Sequence, residues 1–174
     1  MALNTTIKLT LSATRTLVLD QGSFREPHLV DYDVTWPTGT AVNQADEVWS
    51  DSRSLAVGSE NLDFTALPQV TSAGVAVRTV AFAVIKAIII RNTSASGRLV
   101  VGGGSTGAGA ADAFAGTGYP FATDASETEL PFGGAWVWTD PTGVAVTNGA
   151  TDILHIEAVG ATQTYEIEIV GEAV

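Results

Sequence analysis

Apolar side chains recur at every second residue over much of this chain, and that period constrains the fold before any motif is considered. Ile7, Leu9 and Leu11 alternate with Lys8, Thr10 and Ser12, which gives an extended backbone one apolar and one polar face. Val30, Tyr32, Val34 and Trp36 do the same against Asp31, Asp33 and Thr35 before Pro37-Thr38-Gly39 ends the run, since that composition favours a turn. Near the C-terminus, Leu154, Ile156 and Ala158 alternate with His155 and Glu157, and Tyr165, Ile167 and Ile169 with Glu166 and Glu168. Gly160-Ala161-Thr162 separates these last two runs, so a C-terminal hairpin is expected.

Residues 75–90 are apolar almost throughout and rich in Val and Ile. β-Branched side chains favour strands, so two strands or one long bent strand are expected there, with a helix over 81–90 as the competing reading. Asn92-Thr93-Ser94-Ala95-Ser96-Gly97 then marks a turn, and residues 98–101 read as the returning strand of a hairpin. Further strands are expected at 17–20, 62–66, 135–139 and 143–147. The last two are joined by Asp140-Pro141-Thr142-Gly143, a turn by its Pro and Gly. Residues 46–53 are read as a short helix capped by Asn43 or Asp46, or as an irregular surface crossing. Short strands between turn signals point to an all-β fold, a sandwich or a barrel, in a single domain over residues 1–174. Long Gly-rich loops complete it, chiefly 102–118. Residues 1–17 are expected to be an arm or strand engaged in subunit contacts.

Charge and composition exclude whole classes of partner. Eight Lys/Arg against nineteen Asp/Glu give a formal charge of −11, and the eight do not cluster. Nucleic-acid binding needs a positive footprint that releases counterions, so no nucleic acid is expected. Anionic membrane surfaces are disfavoured on the same ground, and no apolar run is long enough to span a bilayer. The first residues lack a basic stretch followed by an apolar one, so no signal peptide is expected and the chain should be made in a cytosol. The absence of cysteine removes disulfides, thiolate metal sites and cysteine nucleophiles.

Few residues invite catalysis. His28 and His155 are the two histidines; no Gly-x-Ser-x-Gly elbow or His-Glu-x-x-His pattern accompanies them, so both are read as structural or merely exposed. Asp31 and Asp33 project from one face of a strand and would suit a calcium ion with loop carbonyls, but the solvent face of an amphipathic strand is the favoured reading. Glu166 and Glu168 are read in the same way, and Asp46, Glu47 and Asp51 form the remaining acidic group. Gly102-Gly103-Gly104-Ser105-Thr106-Gly107 lacks the Gly-Lys-Ser/Thr of a phosphate loop. Trp136 and Trp138 share one face of a strand. Turned outward they would contact a partner or a glycan; turned inward they are core, which is favoured for at least one of them. No catalytic, metal-binding or cofactor-binding residue is assigned, no cofactor is expected, and the chain is read as a non-enzyme.

The run Ile85-Lys86-Ala87-Ile88-Ile89-Ile90-Arg91-Asn92-Thr93, the segments Phe114-Ala115-Gly116 and Leu130-Pro131-Phe132-Gly133-Gly134-Ala135, and the close Tyr165-Glu166-Ile167-Glu168-Ile169-Val170-Gly171 together resemble small virion structural proteins of tailed bacteriophages. Asp46-Glu47-Val48-Trp49-Ser50-Asp51 and Leu62-Asp63-Phe64-Thr65 fit upstream, so the resemblance covers roughly residues 45–171. It implies an antiparallel β-sandwich, with a jelly roll among its forms, located in a virion assembled in the host bacterial cytoplasm. A capsid decoration or cement protein on the outside of the head is the leading role, binding the major capsid protein or other virion proteins. Such proteins are commonly symmetric oligomers, a trimer being favoured. A tail or surface-fibre module that binds a host glycan or another virion protein is the alternative.

Overall fold

The inward-facing residues of the period-two runs meet across two four-stranded antiparallel sheets. The computed structural model describes residues 3–19, 22–71, 74–102, 114–115, 119–121 and 126–174. Twelve strands are defined there: β1 (Asn4–Leu19), β2 (Gly22–Pro37), β3 (Glu47–Leu55), β4 (Gly58–Asp63), β5 (Leu67–Val70), β6 (Ala76–Val80), β7 (Phe82–Asn92), β8 (Arg98–Gly102), β9 (Glu127–Pro131), β10 (Ala135–Ala145), β11 (Ile153–Val159) and β12 (Gln163–Ala173). One sheet, sheet I, has the order β10-β7-β12-β3 and the other, sheet II, β4-β11-β8-β9; β1-β2 and β5-β6 are separate two-stranded ribbons.

Pairing within the sandwich is nested. β3 pairs with β12, β4 with β11, β7 with β10 and β8 with β9, so that, β5-β6 aside, the first strand meets the last and the second meets the last but one. Two more pairings, β12 with β7 and β11 with β8, complete the sheets. The all-β antiparallel sandwich is therefore the observed class. Its core lies between the sheets: Trp49, Ile88, Ile90, Tyr165, Ile167 and Ile169 from sheet I face Leu62, Leu99, Val101, Leu130, Leu154 and Ile156 from sheet II, all at most 3% exposed. Burying each such side chain contributes about 1.5–3 kcal/mol.

Several local expectations are corrected by this arrangement. β11 and β12 do not form a hairpin: they lie in opposite sheets, as do β7 and β8. The apolar faces of each pair bury each other across the core, which a shared sheet would not allow. Residues 47–53 belong to β3, with Asp46 just before it, and form neither a helix nor an irregular crossing. Residues 17–20 are not a separate strand, because β1 runs unbroken to Leu19. The 75–90 region is two strands, and no helix forms over 81–90. Asp140-Pro141-Thr142-Gly143 is a bulge within the single strand β10, not a turn between two strands. The Asp140 carboxylate accepts the N–H groups of Thr142 and Gly143 at 2.8 and 3.2 Å, and β10 is an edge strand, where proline costs no ladder hydrogen bond. Of the long 102–118 loop, residues 103–113 and 116–118 lie outside the described residues.

The loop after β2 is fastened to the sandwich by a buried cation. Lys86 is fully buried, and its ammonium donates to the Ala41 carbonyl at 2.7 Å and meets the Glu172 carboxylate at 2.7 Å. Removing one member of a buried pair leaves the other charge uncompensated. Lys86→Met is expected to lower unfolding free energy by about 2–3 kcal/mol, the low side of that class because Glu172 keeps some access to water. Adding Glu172→Leu should recover part of the loss. Urea melts of wild type and the two variants check both statements; a double variant no more stable than Lys86→Met would contradict them.

Candidate interaction site

The β1-β2 ribbon is the part of the fold least explained by the sandwich. Its register pairs Ile7 with Val34, Leu9 with Tyr32 and Leu11 with Val30, so both strands place apolar residues on one face. Lys8 with Asp33 and Thr10 with Asp31 fill the other face, and the Thr10 hydroxyl donates to Asp31 at 2.8 Å. Asp31 and Asp33 therefore form an exposed polar face, the solvent-face reading of that pair.

The root of the ribbon is seated on the outer face of sheet I. Trp36 is fully buried and Ile7 is 6% exposed, in a cluster with Ala45, Ala87 and Val170, with Val48 against it. Val48, Val170, Ala87 and Thr139 stand opposite one another in adjacent strands, so they form one row across all four strands of the sheet. The ribbon follows that row. Leu3 and Val48 lie at its β3 end, and at its β10 end the Tyr32 hydroxyl meets the Thr139 hydroxyl at 3.4 Å. Three strand spacings span about 14 Å, the length of four extended residues, which matches the distance along β1 from Thr5 to Leu9.

Beyond Leu9 and Tyr32 the ribbon overhangs the β10 edge for about 30 Å. One further apolar pair on that face lies bare there, Leu11 being 65% and Val30 60% exposed, before Ala13 opposite His28 and Arg15 opposite Glu26 follow in the register. Among the described residues β1 and β2 pair only with each other, so each ribbon strand keeps one edge without a strand partner there. An isolated two-stranded ribbon is marginal in water, and an exposed apolar stripe with open edges is an association surface.

Beside the seated ribbon lies a cleft of about 860 Å³. Its floor is the next two rows of the same outer face, Ser50-Glu168-Ile89 and Ser52-Glu166-Arg91. The tip of the β5-β6 ribbon closes one side with Val70, Thr71 and Gly74. That tip is held by a bidentate Arg78–Glu47 pair at 2.7–2.8 Å and by the Trp49 indole N–H on the Pro68 carbonyl at 3.0 Å. Glu166 and Glu168, as expected, occupy an outer face, and Glu166 pairs with Arg91 at 2.7 Å.

Other polar groups tie the sandwich together. Arg53 donates to Glu60 through Nε at 3.0 Å and Nη2 at 2.5 Å, and through Nη1 to Asp51 at 2.8 Å. The Tyr165 hydroxyl donates to the other Glu60 oxygen at 2.7 Å, so β3, β4 and β12 are joined across the two sheets. Burial opposes the Arg53 charge, but the Glu60 and Asp51 carboxylates outweigh it and hold its pKa above the ordinary value. Burial and then Glu60 push the Tyr165 phenol above its usual range. A phenol whose folded pKa is raised contributes stability below its unfolded value, near pH 10, and loses it as pH rises above that. Stability is therefore expected to fall above about pH 10 by up to about 1.4 kcal/mol per pH unit from this one group. Tyr165→Phe should flatten that slope in denaturant melts between pH 9 and 11; an unchanged slope would refute the assignment.

The indoles of Trp136 and Trp138 turn toward the core and are half-buried. Trp136 stacks on Phe121 with ring centres 5.4 Å apart, and Trp138 meets Phe114 edge-on at 6.3 Å. His155 lies on the outward face of sheet II, with Nδ1 2.8 Å from the Asn61 side-chain oxygen. His28 stands in β2 opposite Ala13; its side chain lies outside the described residues. The two histidines are thus carried by separate layers, one on the ribbon and one on sheet II. Among the described residues no group of three His, Asp or Glu is placed to hold a metal ion, and no helix is long and apolar enough to cross a membrane. Comparison with protein families, with curated proteins and with solved structures finds no match.

Proposed function

We propose that this chain is a non-enzymatic structural protein that assembles with other subunits through its β1-β2 ribbon. The observation that carries this reading is the run of apolar pairs Ile7–Val34, Leu9–Tyr32 and Leu11–Val30, buried at the root and exposed at Leu11 and Val30 past the β10 edge. A segment that continues its apolar face past its own domain is built to be covered by another. The N-terminal arm expected from the sequence is on this reading half of a hairpin.

The strand order further supports a jelly roll. Eight strands whose pairing nests first with last, in the orders β3-β12-β7-β10 and β4-β11-β8-β9, trace a long hairpin folded back over itself, the connectivity of that architecture. The sequence resemblance supplies the setting: a bacteriophage virion, with a decoration or cement role on the head as the leading position. The acidic charge is compatible with a surface that avoids packaged nucleic acid. A glycan-binding tail module has less support, because Trp136 and Trp138 face the core.

Quantitative mass spectrometry of purified phage particles that encode the chain tests the setting. Copies in the hundreds, lost when Leu11 and Val30 are both replaced by Glu, are expected for a decoration protein held by the ribbon. A handful of copies at one vertex would move it to the neck or tail. Absence from particles would refute the virion reading.

A further inference from the structure

We infer that the open edge of β10, residues 135–139, pairs with the same edge of a second copy and joins two sandwiches through sheet I. This goes beyond the assembly reading of the ribbon, since it rests on an edge of the sandwich itself.

The protection of the other edges singles this segment out. Each sheet ends in two strands that pair on one side only, and charge or proline on such a strand discourages association. β3 carries Glu47, Asp51 and Arg53, β4 carries Glu60 and Asp63, and β9 carries Glu127, Glu129 and Pro131. The far half of β10 has Asp140, Pro141 and the bulge, and its Pro141 carbonyl accepts the Asn43 N–H at 3.0 Å. The near half, Ala135-Trp136-Val137-Trp138-Thr139, has neither charge nor proline.

The ladder identifies which of its backbone groups are open. The main chain of Asn92, at the end of β7, donates to the Gly134 carbonyl and accepts the Gly133 N–H. Bonded pairs alternate along an antiparallel ladder, so the next ones are Ile90–Trp136 and Ile88–Trp138. The N–H and C=O groups of Ala135, Val137 and Thr139 therefore point away from β7. Among the described residues no other strand meets them.

A second copy is the partner because the segment is complementary to itself. Antiparallel pairing centred on Val137 sets Val137 against Val137 and Ala135 against Thr139, so every one of these open groups is bonded. It also sets Trp136 against the second copy's Trp138 in non-hydrogen-bonded pairs, where side chains lie closest. Both indoles are half-buried, and an aromatic cross-strand pair covers surface that each leaves open. One patch serves both copies, as a two-fold axis requires.

The ribbon leads to the same edge. It crosses β10 at Thr139, where the Tyr32 hydroxyl sits, and in this register Thr139 faces the second copy's Ala135, a small exposed residue. The second copy's strand lies about 4.8 Å beyond β10, and the bare Leu11–Val30 pair about 7 Å beyond Leu9–Tyr32. That pair therefore stands over the joint. Five paired residues per copy bury roughly 700 Å² in total, the size of a weak contact; the two bare pairs raise this to roughly 1,000 Å², about the least that a specific interface needs.

The test uses the full chain. Sedimentation equilibrium of wild type is expected to give twice the 18.0 kDa chain mass at about 100 μM, a concentration suited to an interface of this size. Val137→Lys and Val137→Glu each set like charges against one another at the two-fold axis, and each should weaken association at least about tenfold. Val137 belongs to neither buried cluster, so circular dichroism and thermal melts should match wild type. Mixed in equal amounts, the two variants should form a heterodimer, because opposite charges then meet. On dimerisation of wild type, amide exchange read by NMR should slow at Val137 and stay unchanged at Trp136, which already bonds β7. A monomeric wild type, a lysine variant that dimerises as wild type does, a mixture that stays monomeric, or protection gained at Trp136 and not at Val137 would each overturn the joint. Particle copy number of the Leu11 and Val30 variant judges the ribbon reading separately.

Discussion

Trp36→Ala should release the β1-β2 ribbon from the sandwich while leaving the sandwich folded. Trp36 is fully buried, yet its neighbours are Ile7, Ala45, Ala87 and Val170, a cluster separate from the inter-sheet core. Truncating a buried Trp removes its transfer energy and leaves a cavity, at a cost of about 3–5 kcal/mol. Because the cluster is small and at the surface, that loss should appear as local opening instead of global unfolding. Its indole N–H finds no acceptor among the described residues, so Trp36→Phe, which keeps most of the apolar contact, should retain most of the seating. Limited proteolysis reads the result: early cleavage within residues 4–37 of the alanine variant, with a resistant fragment starting near β3. Simultaneous loss of ribbon and sandwich would mean that the seat is part of one cooperative core.

Gly171→Ala should be the most damaging single substitution in the sandwich. Gly171 lies in β12, the strand that joins β3 to β7, at a register shift in its pairing with β7. An added Cβ would run into the Val84 carbonyl oxygen of the neighbouring strand and lie 2.9 Å from the Phe82 ring. Backbone cannot yield as a flexible side chain does, so β12 or β7 must shift. A loss of about 4 kcal/mol or more is expected, at the exceptional end for point substitutions. Denaturant melts measure it directly, and a loss under about 1 kcal/mol would show that the bulge relaxes freely.

How much of this was legible in the sequence depends on the range of the interaction. The period of two identified the runs that form β1, β2, β11 and β12, because burial of one face is a local property of alternating residues. β7 was read from its β-branched composition, and β3 was missed as a strand. Pairing partners were less accessible. Gly160 and the turn around Gly97 look like hairpin turns, and both glycines do adopt positive φ. Each turn nevertheless carries the chain from one sheet to the other, because what decides is which apolar faces oppose each other across the core. The Asp140-Pro141-Thr142-Gly143 signature was also ambiguous: Asp140 capping two backbone N–H groups satisfies a bulge as well as a turn.

The candidate site was half legible. The two alternating runs at 7–11 and 30–36 were visible. Their mutual pairing was not read, although a signal exists. Apolar residues mirror one another about the step from Asp20 to Gln21, with Leu11 matching Val30, Leu9 matching Tyr32 and Ile7 matching Val34, which is the pattern of one long hairpin. The cleft had no such signal. Ser50, Ser52, Glu166, Glu168 and Arg91 come from three strands distant in the chain, and only the sheet order sets them side by side.

The account's central claim, that the overhanging ribbon is an assembly surface, is tested most directly by amide hydrogen exchange of the wild-type chain at low and high concentration. Amides in the overhang, residues 10–31, are expected to gain protection of about tenfold or more at high concentration, while those of the seated root change little. Exchange in residues 10–31 that is equally fast at both concentrations, with added protection elsewhere or nowhere, would contradict it.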